Sequence, residues 1–280
     1  MRELKPYQDK QTLERLIREA GSYKGAARVL GVNEKTVTAW AKKFGIASAG
    51  SQGARRHSLD KGYFHNIDTE PKAYWLGFIM ADGCVYVGSG KNSLRLQVNL
   101  QISDKDILEK FNKAISSDYN ITEKQIYNKK TKKTYAAAQL KINCTSMCKD
   151  LIKHNVTPRK SLVCTMPEIS PDLIRHYIRG YLDGDGHIGR DKINRWEMDF
   201  CGGKSMMQTF QNYFENHGIV SAIYKINHSK AVSLTINSRE CVKKAKDLLY
   251  EGATVYLERK FRKLDDLEKY LSRQTETSGQ

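Results

Sequence analysis

The 280-residue chain contains no run of eighteen apolar residues, the length a membrane-spanning helix requires. Its N-terminus also lacks the apolar core of a secretory signal, so the expectation is a soluble, intracellular protein. The six cysteines (84, 144, 148, 164, 201 and 241) include no Cys-x-x-Cys pair. Cys144 and Cys148 have helical spacing, but no second ligand pair accompanies them, which argues against a zinc finger and for reduced, packed thiols. Acid is scarce as well: 31 Asp and Glu face 47 Lys and Arg, a formal charge of +16. That excess favours a polyanionic partner, nucleic acid before an anionic membrane. The length leaves room for two or three compact units and a sizeable core.

What is present is one stretch stated twice. Ala73-Tyr-Trp-Leu-Gly-Phe-Ile-Met-Ala-Asp-Gly-Cys-Val85 returns as Arg175-His-Tyr-Ile-Arg-Gly-Tyr-Leu-Asp-Gly-Asp-Gly-His-Ile188, with Asp82 aligned on Asp185. Each copy is an apolar, helix-length run with small residues four apart: Gly77 and Ala81, then Gly180 and Gly184. Small residues at i and i+4 share a helical face and let two helices pack backbone to backbone. Each run ends in an acid followed by a glycine, a residue suited to a helix C-terminus. If the two helices pack together, Asp82 and Asp185 emerge side by side. Two carboxylates that close repel unless a cation sits between them, and a divalent metal is the usual answer.

The two copies resemble the paired motifs of the LAGLIDADG homing endonucleases, reading Trp75-Leu-Gly-Phe-Ile-Met-Ala-Asp-Gly83 and Ile178-Arg-Gly-Tyr-Leu-Asp-Gly-Asp-Gly186. The resemblance implies an α+β, pseudo-twofold, duplicated αββαββα fold with two antiparallel-sheet saddles. It implies that Asp82 and Asp185 are catalytic and bind metal, with Ala81 and Gly184 as further metal-site residues. The cofactor it implies is Mg²⁺, two or three ions, with Mn²⁺ as a substitute. Met80 stands where an earlier acid is common, at a position that is not the family's metal ligand. Each half closes on a basic segment, Thr157-Pro-Arg-Lys-Ser161 and Leu257-Glu-Arg-Lys-Phe261. Lys160 follows Asp82 by 78 residues and Lys260 follows Asp185 by 75. Many family members carry a basic residue near each metal site at a comparable point, so both lysines are candidates to stabilise charge on phosphate. Simple neutralisation of a DNA backbone is the alternative for each.

In front of the motifs, residues 1–46 read as an all-α module. Leu13, Leu16 and Ile17 mark a first helix stopped near Gly21, Tyr23 to Leu30 a second, and Asn33 caps a third that runs to about Phe44. Ala27, Gly31, Val37 and Trp40 have the offsets of a helix-turn-helix. Asn33, Lys35, Thr36, Thr38 and Lys42 would give the third helix a face able to enter a major groove. A packing or dimerisation module is the competing reading. Residues 47–62 have the small, polar composition of a flexible linker, with Arg55 and Arg56 able to track phosphates. The remaining divisions expected are repeats at 63–168 and 169–271 and a disordered tail at 272–280.

The clearest strand is Leu94 to Ile102, apolar at every even position and polar at Arg95, Gln97, Asn99 and Gln101. Arginine, glutamine and asparagine make bidentate contacts with base edges, so this face is a candidate reading surface. The order then predicts a helix over 104–115, a strand at 125–128, a strand at 135–143 and a helix over 146–154. Lys129, Lys130, Lys132 and Lys133 lie in the loop between the strands, and Gln139 and Lys141 take the polar phase of the second strand. The second half repeats the order: a strand at 195–200 exposing Arg195, Glu197 and Asp199, a helix over 205–217, strands at 222–227 and 232–237 with Ser233 and Thr235 outward, and a helix over 240–250. A βαββα unit stated twice predicts two related halves with the motif helices on the axis.

Together these features point to a site-specific, metal-dependent double-strand DNA endonuclease, monomeric, acting wherever the host DNA is (the cytoplasm of a bacterium or phage-infected cell). The family resemblance implies short 3′ overhangs, and the unequal strand faces imply an asymmetric target. A DNA-binding regulator on the same scaffold and an intron RNA-splicing maturase are the alternatives. The Thr-Ser-Gly-Gln ending lacks the His-Asn of a splicing intein.

Overall fold

The computed structural model describes residues 5–46, 57–88, 93–128, 132–158, 164–190 and 195–266. By contact the chain divides into two compact units, Met1–Ser58 and Leu59–Gln280. Leu59 to Gly62, linker by composition, belong with the second unit: the Asp60 amide donates to Ile115 O at 2.8 Å, and Phe64 just beyond is fully buried.

The first unit is three helices, α1 (Lys10–Ala20), α2 (Tyr23–Val29) and α3 (Glu34–Phe44). Each starts on a side chain that accepts from a free helical amide: Asp9 from Thr12, Ser22 from Gly25 and Asn33 from Lys35. Gly21 and Gly45 end α1 and α3 at φ of 68° and 69°, where a Cβ would be strained. Leu13, Ile17, Ala26, Ala27, Val37 and Ala41 form its core. The Tyr23 hydroxyl donates to Ile46 O at 2.7 Å and ties the chain's exit back onto α2.

The second unit runs α4 (Glu70–Asp82), β1 (Gly83–Val87), β2 (Leu94–Gln101), α5 (Lys105–Ala114), β3 (Ile121–Asn128), β4 (Lys133–Ile142), α6 (Thr145–Lys153). It then repeats as α7 (Ile174–Asp185), β5 (His187–Arg190), β6 (Trp196–Gly202), α8 (Lys204–Asn216), β7 (Ala222–Lys225), β8 (Val232–Ile236), α9 (Arg239–Tyr250). Residues 258–266 are helical. Both sheets are antiparallel with the same order, β1-β2-β4-β3 and β5-β6-β8-β7. Period two holds in both: Leu96 and Val98, and Trp196, Met198 and Phe200, are buried against the helices, while the odd positions stay open or half-open. Strand β3 starts four residues before the segment predicted, because Ile121, Thr122, Glu123 and Lys124 pair with β4 despite little apolar alternation of their own.

The motif helices α4 and α7 lie backbone against backbone. A Cβ on Gly77 would sit 2.0 Å from Tyr177 O, and one on Gly180 would sit 1.9 Å from Tyr74 O. α4 is buried continuously from Ala73 to Met80, as a helix enclosed on every side must be. α7 is buried from His176 to Asp183 although it carries three polar side chains. His176 meets Arg179 of its own helix at 2.8 Å, and the other two are satisfied from the neighbouring segments. Arg179 gives 2.8 Å to Glu70 on α4, 2.7 Å to Leu249 O and 3.1 Å to Val255 O. Asp183 accepts from Tyr74 at 2.9 Å, Tyr250 at 2.7 Å and the Leu257 amide at 2.7 Å. Asp183 thus serves as an internal tie, and Met80, its counterpart, packs in the core. The terminal glycines of the motifs are not left-handed caps: Gly83 and Gly186 are extended, with φ of −79° and −83°. They are needed for space. A Cβ would meet Ile79 at 2.7 Å in the first and Leu182 at 2.5 Å in the second.

Candidate functional site

Because α4 and α7 cross at their glycines, both end on the same side and each passes directly into an edge strand, Asp82 into β1 and Asp185 into β5. Gly184 makes room between the two ends: a Cβ there would be 2.5 Å from Ala81 Cβ and 3.4 Å from Asp82 Oδ2. Asp82 is half-buried and Asp185 exposed. Both act electrostatically on the same two groups, Lys260 and Tyr181, so the acids share one neighbourhood.

Lys260 reaches this point from the second half's basic segment, but it is almost fully buried. Its ammonium donates to Leu182 O at 2.6 Å, Gly184 O at 3.1 Å and Gly186 O at 2.6 Å. An ammonium has three N–H groups, so all are committed to the C-terminal carbonyls of α7. Burial pulls its pKa down to about 8, and Asp183 and Asp82 resist the fall. Lys160 lies outside the described residues, as do Arg55, Arg56, Lys129 and Lys130.

A groove of about 730 Å³ opens beside Asp82, lined among others by Gly184, Asn99, Gln101, Asp104 and Arg259. Asp104 and Arg259 meet there across the two halves in a fork of 2.9 and 2.8 Å. Sequence reading missed both; the only signal was that arginine precedes lysine in each closing segment, at 159–160 and 259–260.

The candidate reading residues fall on the open faces of the sheets. In the first sheet Gln97 lies between Cys84 and Lys141, and Asn99 is opposite Gln139. The Asn99 side-chain oxygen accepts from Gln97 at 3.3 Å and from Gln139 at 2.5 Å. Asn99 Oδ1 is therefore taken up within the sheet, in place of the bidentate pose its residue type suggests. In the second sheet Asp199 lies between His187 and Thr235, whose hydroxyl donates to it, and Ser233 is opposite Cys201. Glu197 faces the same side and Arg195 is exposed just before β6. Lys132 and Lys133 close the β3–β4 hairpin, seven residues along β4 from the row of Gly83, or roughly 23 Å. On α3, Asn33, Lys35, Thr38 and Lys42 line one concavity. Thr36 is half-buried and does not line it, Asn33 Oδ1 is occupied by its cap, and the Thr38 hydroxyl donates to Glu34 O.

The profile of the LAGLIDADG-like domain family matches residues 69–153 and again 172–250, one match over each half. The chain belongs to the LAGLIDADG-like family. Among solved structures, the homing endonuclease I-WcaI bound to its DNA recognition sequence is similar in fold, with a TM-score of 0.51 and 12% identity over 72% of this chain and 91% of that one. I-SmaMI bound to cleaved DNA gives a TM-score of 0.50 and 12% identity over 76% and 92%, and I-AabMI bound to uncleaved DNA a TM-score of 0.50 and 12% identity over 73% and 91%. No curated protein matches the chain in sequence. The duplicated LAGLIDADG-like fold, two four-stranded antiparallel sheets about two paired helices, is therefore that of this chain. No helix of the described residues is long and apolar enough to cross a membrane.

Among the described residues no group of three or more His, Cys, Asp and Glu is gathered as a metal site. Asp82 and Asp185 offer hard carboxylate oxygens with space left beside Asp82 by Gly184, while the Gly184 carbonyl already accepts from the Lys260 ammonium. The two carboxylates suit Mg²⁺, which is held by one or two carboxylates together with substrate phosphates.

Proposed function

We propose that this protein is a site-specific double-strand DNA endonuclease of the homing type, acting as a monomer on a long asymmetric target. The observation that carries the reading is the pair Asp82 and Asp185 at the ends of two helices in backbone contact, each leading into a sheet of the same topology. Asp82 and Asp185 would hold divalent cations, Mg²⁺ or Mn²⁺. When bound, these supply Lewis-acid stabilisation of the charge that develops on a scissile phosphate. The chain's own residues do the rest. The glycine contacts of α4 and α7 hold the carboxylates at a constant separation. Lys260 ties down the last turn of α7 and offsets the concentrated negative charge. Arg259, held by Asp104, lines the groove beside Asp82 and is placed to orient a phosphate. The open sheet faces give register on the duplex, and the exposed lysines of the β3–β4 hairpin add contacts with its backbone.

Two acids, one per half, serve two strands, which favours cutting of both. The N-terminal unit, with its capped third helix and polar outer face, is read as an additional DNA-binding helix-turn-helix. The test is selection of cleaved sites from a random duplex library in Mg²⁺. Recovery of one long, non-palindromic sequence cut on both strands is expected. Tight binding to a unique sequence with neither strand cut would make the protein a regulator on this scaffold, and binding to intron RNA in preference to duplex DNA would make it a maturase.

A further inference from the structure

The two sheets share their strand order but differ in charge at equivalent places. Cys84 and His187 each lie two residues beyond their acid. Cys84 pairs with Gln97 and Gln97 with Lys141; His187 pairs with Asp199 and Asp199 with Thr235. One row further out, Tyr86 pairs with Arg95, and Gly189 with Glu197. Register therefore makes Arg95 the counterpart of Glu197, Gln97 of Asp199 and Lys141 of Thr235. The first sheet has two cations at these positions, Arg95 and Lys141, where the second has two anions, Glu197 and Asp199.

The surroundings sharpen the contrast. Lys124 and, more weakly, Arg95 push the Lys141 ammonium's pKa down, so the first face is short of negative partners. Arg95 Nε is shielded without an acceptor, and its guanidinium lies 5.5 Å from the Tyr86 ring. On the second face Thr235 orients the Asp199 carboxylate, and His187 Nε2 lies 3.9 Å from Glu197 Oε1. A carboxylate turned toward duplex DNA is repelled by the phosphates unless it accepts a hydrogen bond from a base. In the major groove only cytosine N4 and adenine N6 offer amino donors, whereas Arg and Lys match the acceptors of guanine.

We infer that the second sheet reads base amino groups, cytosine N4 foremost, through Asp199 and Glu197, while Arg95, the counterpart of Glu197, reads guanine at the pseudo-equivalent base pair and Lys141 adds a cation where the second sheet has Thr235. This rests on the proposed placement of the sheets on DNA and adds to it the base chemistry of each half-site. A palindrome built from either half would then present the other sheet with the wrong partner.

The test is enrichment of a random-sequence duplex library by the full chain in EDTA, followed by the same with Asp199→Asn, Glu197→Gln and Arg95→Gln. The two carboxylate-to-amide changes are near-isosteric and Arg95→Gln only shortens a half-buried side chain, and a melting curve within about 2 °C of the parent confirms that the sheet packing is intact. Asp199→Asn and Glu197→Gln should each lower the preference for C·G at one or two base pairs by about five- to a hundredfold. Arg95→Gln should relax preference for guanine in the opposite half-site. Unchanged preferences in both carboxylate variants, or relaxation in the same half as Arg95→Gln, would overturn the inference while leaving DNA binding standing. Failure of the parent to enrich any sequence would overturn the DNA reading itself, and this inference with it.

Discussion

The α-carbon of Gly180 lies against the carbonyl oxygen of Tyr74, so close that a Cβ would sit 1.9 Å from that oxygen. Its mirror is Gly77 against Tyr177 O at 2.0 Å. Neither carbonyl can move without displacing a helix. Gly77→Ala and Gly180→Ala should each destabilise the second unit by at least about 3 kcal/mol, the upper end of ordinary overpacking. Urea unfolding of the variants checks this; a loss below 1 kcal/mol would mean that the helices can slide apart cheaply.

Asp82→Asn and Asp185→Asn should each abolish double-strand cleavage in Mg²⁺ and leave DNA affinity within a few-fold. Removing a carboxylate costs cation binding but also removes a charge that repels phosphate. Cleavage and filter-binding assays on one target separate the two effects. A variant that cuts both strands at the parental rate would refute the assignment.

The strand β2 divides cleanly between its faces. Gln97→Ala should relax specificity at one or two base pairs, with about 1–3 kcal/mol of discrimination lost at each. Val98→Asp, on the buried face, should unfold the protein instead, since a carboxylate there has no partner. A uniform loss of affinity for every target variant with Gln97→Ala would mean that this face does not read bases.

His176 predicts acid sensitivity. Burial, reinforced by the Arg179 guanidinium 2.8 Å away, lowers its pKa from 6.5 to about 4. Between these values the unfolded chain binds the proton and the folded chain does not. The stability from neutral His176 is therefore complete above pH 6.5 and is lost as pH falls toward 4, up to about 3 kcal/mol. As pH falls from 6.5 toward 4, the urea midpoint of the parent should fall relative to that of His176→Gln. Parallel curves would mean that His176 is not the group responsible.

A chain starting near Gly53 should still cut its core target, because both acids and both sheets remain. If the N-terminal unit binds DNA, it lengthens the protected stretch on one side of that target only. The shortened chain should lose affinity, with a salt dependence shallower by roughly one unit per lost phosphate contact. Identical footprints at both ends would make the helical unit a packing or partner-binding module.

The elements that periodicity could reach were those with a strong one-dimensional pattern. Alternation along Leu94 to Gln101 separates an inward from an outward face before any partner strand is known. The small residues four apart in each motif announce a close helix pair, and capping residues such as Asn33 announce where a helix starts. The repeat itself pointed to Asp82 and Asp185 as a pair. Each of these properties is local, or is a comparison of the chain with itself.

Whatever depends on contacts between distant residues was set by the packed fold. The short edge strands β1 and β5 have too few residues to show a period. The commitment of Lys260 to three carbonyls required the last helical stretch to pack against the end of α7. Asp104 meets Arg259, 155 residues further on, only because the two halves close together. The charge difference between the sheets emerges from register: moving one strand by one residue changes every partner and turns each side chain to the other face. Spacing along the chain carries the period of an element, while the identity of the neighbour across a ladder is set by which strands pair and where.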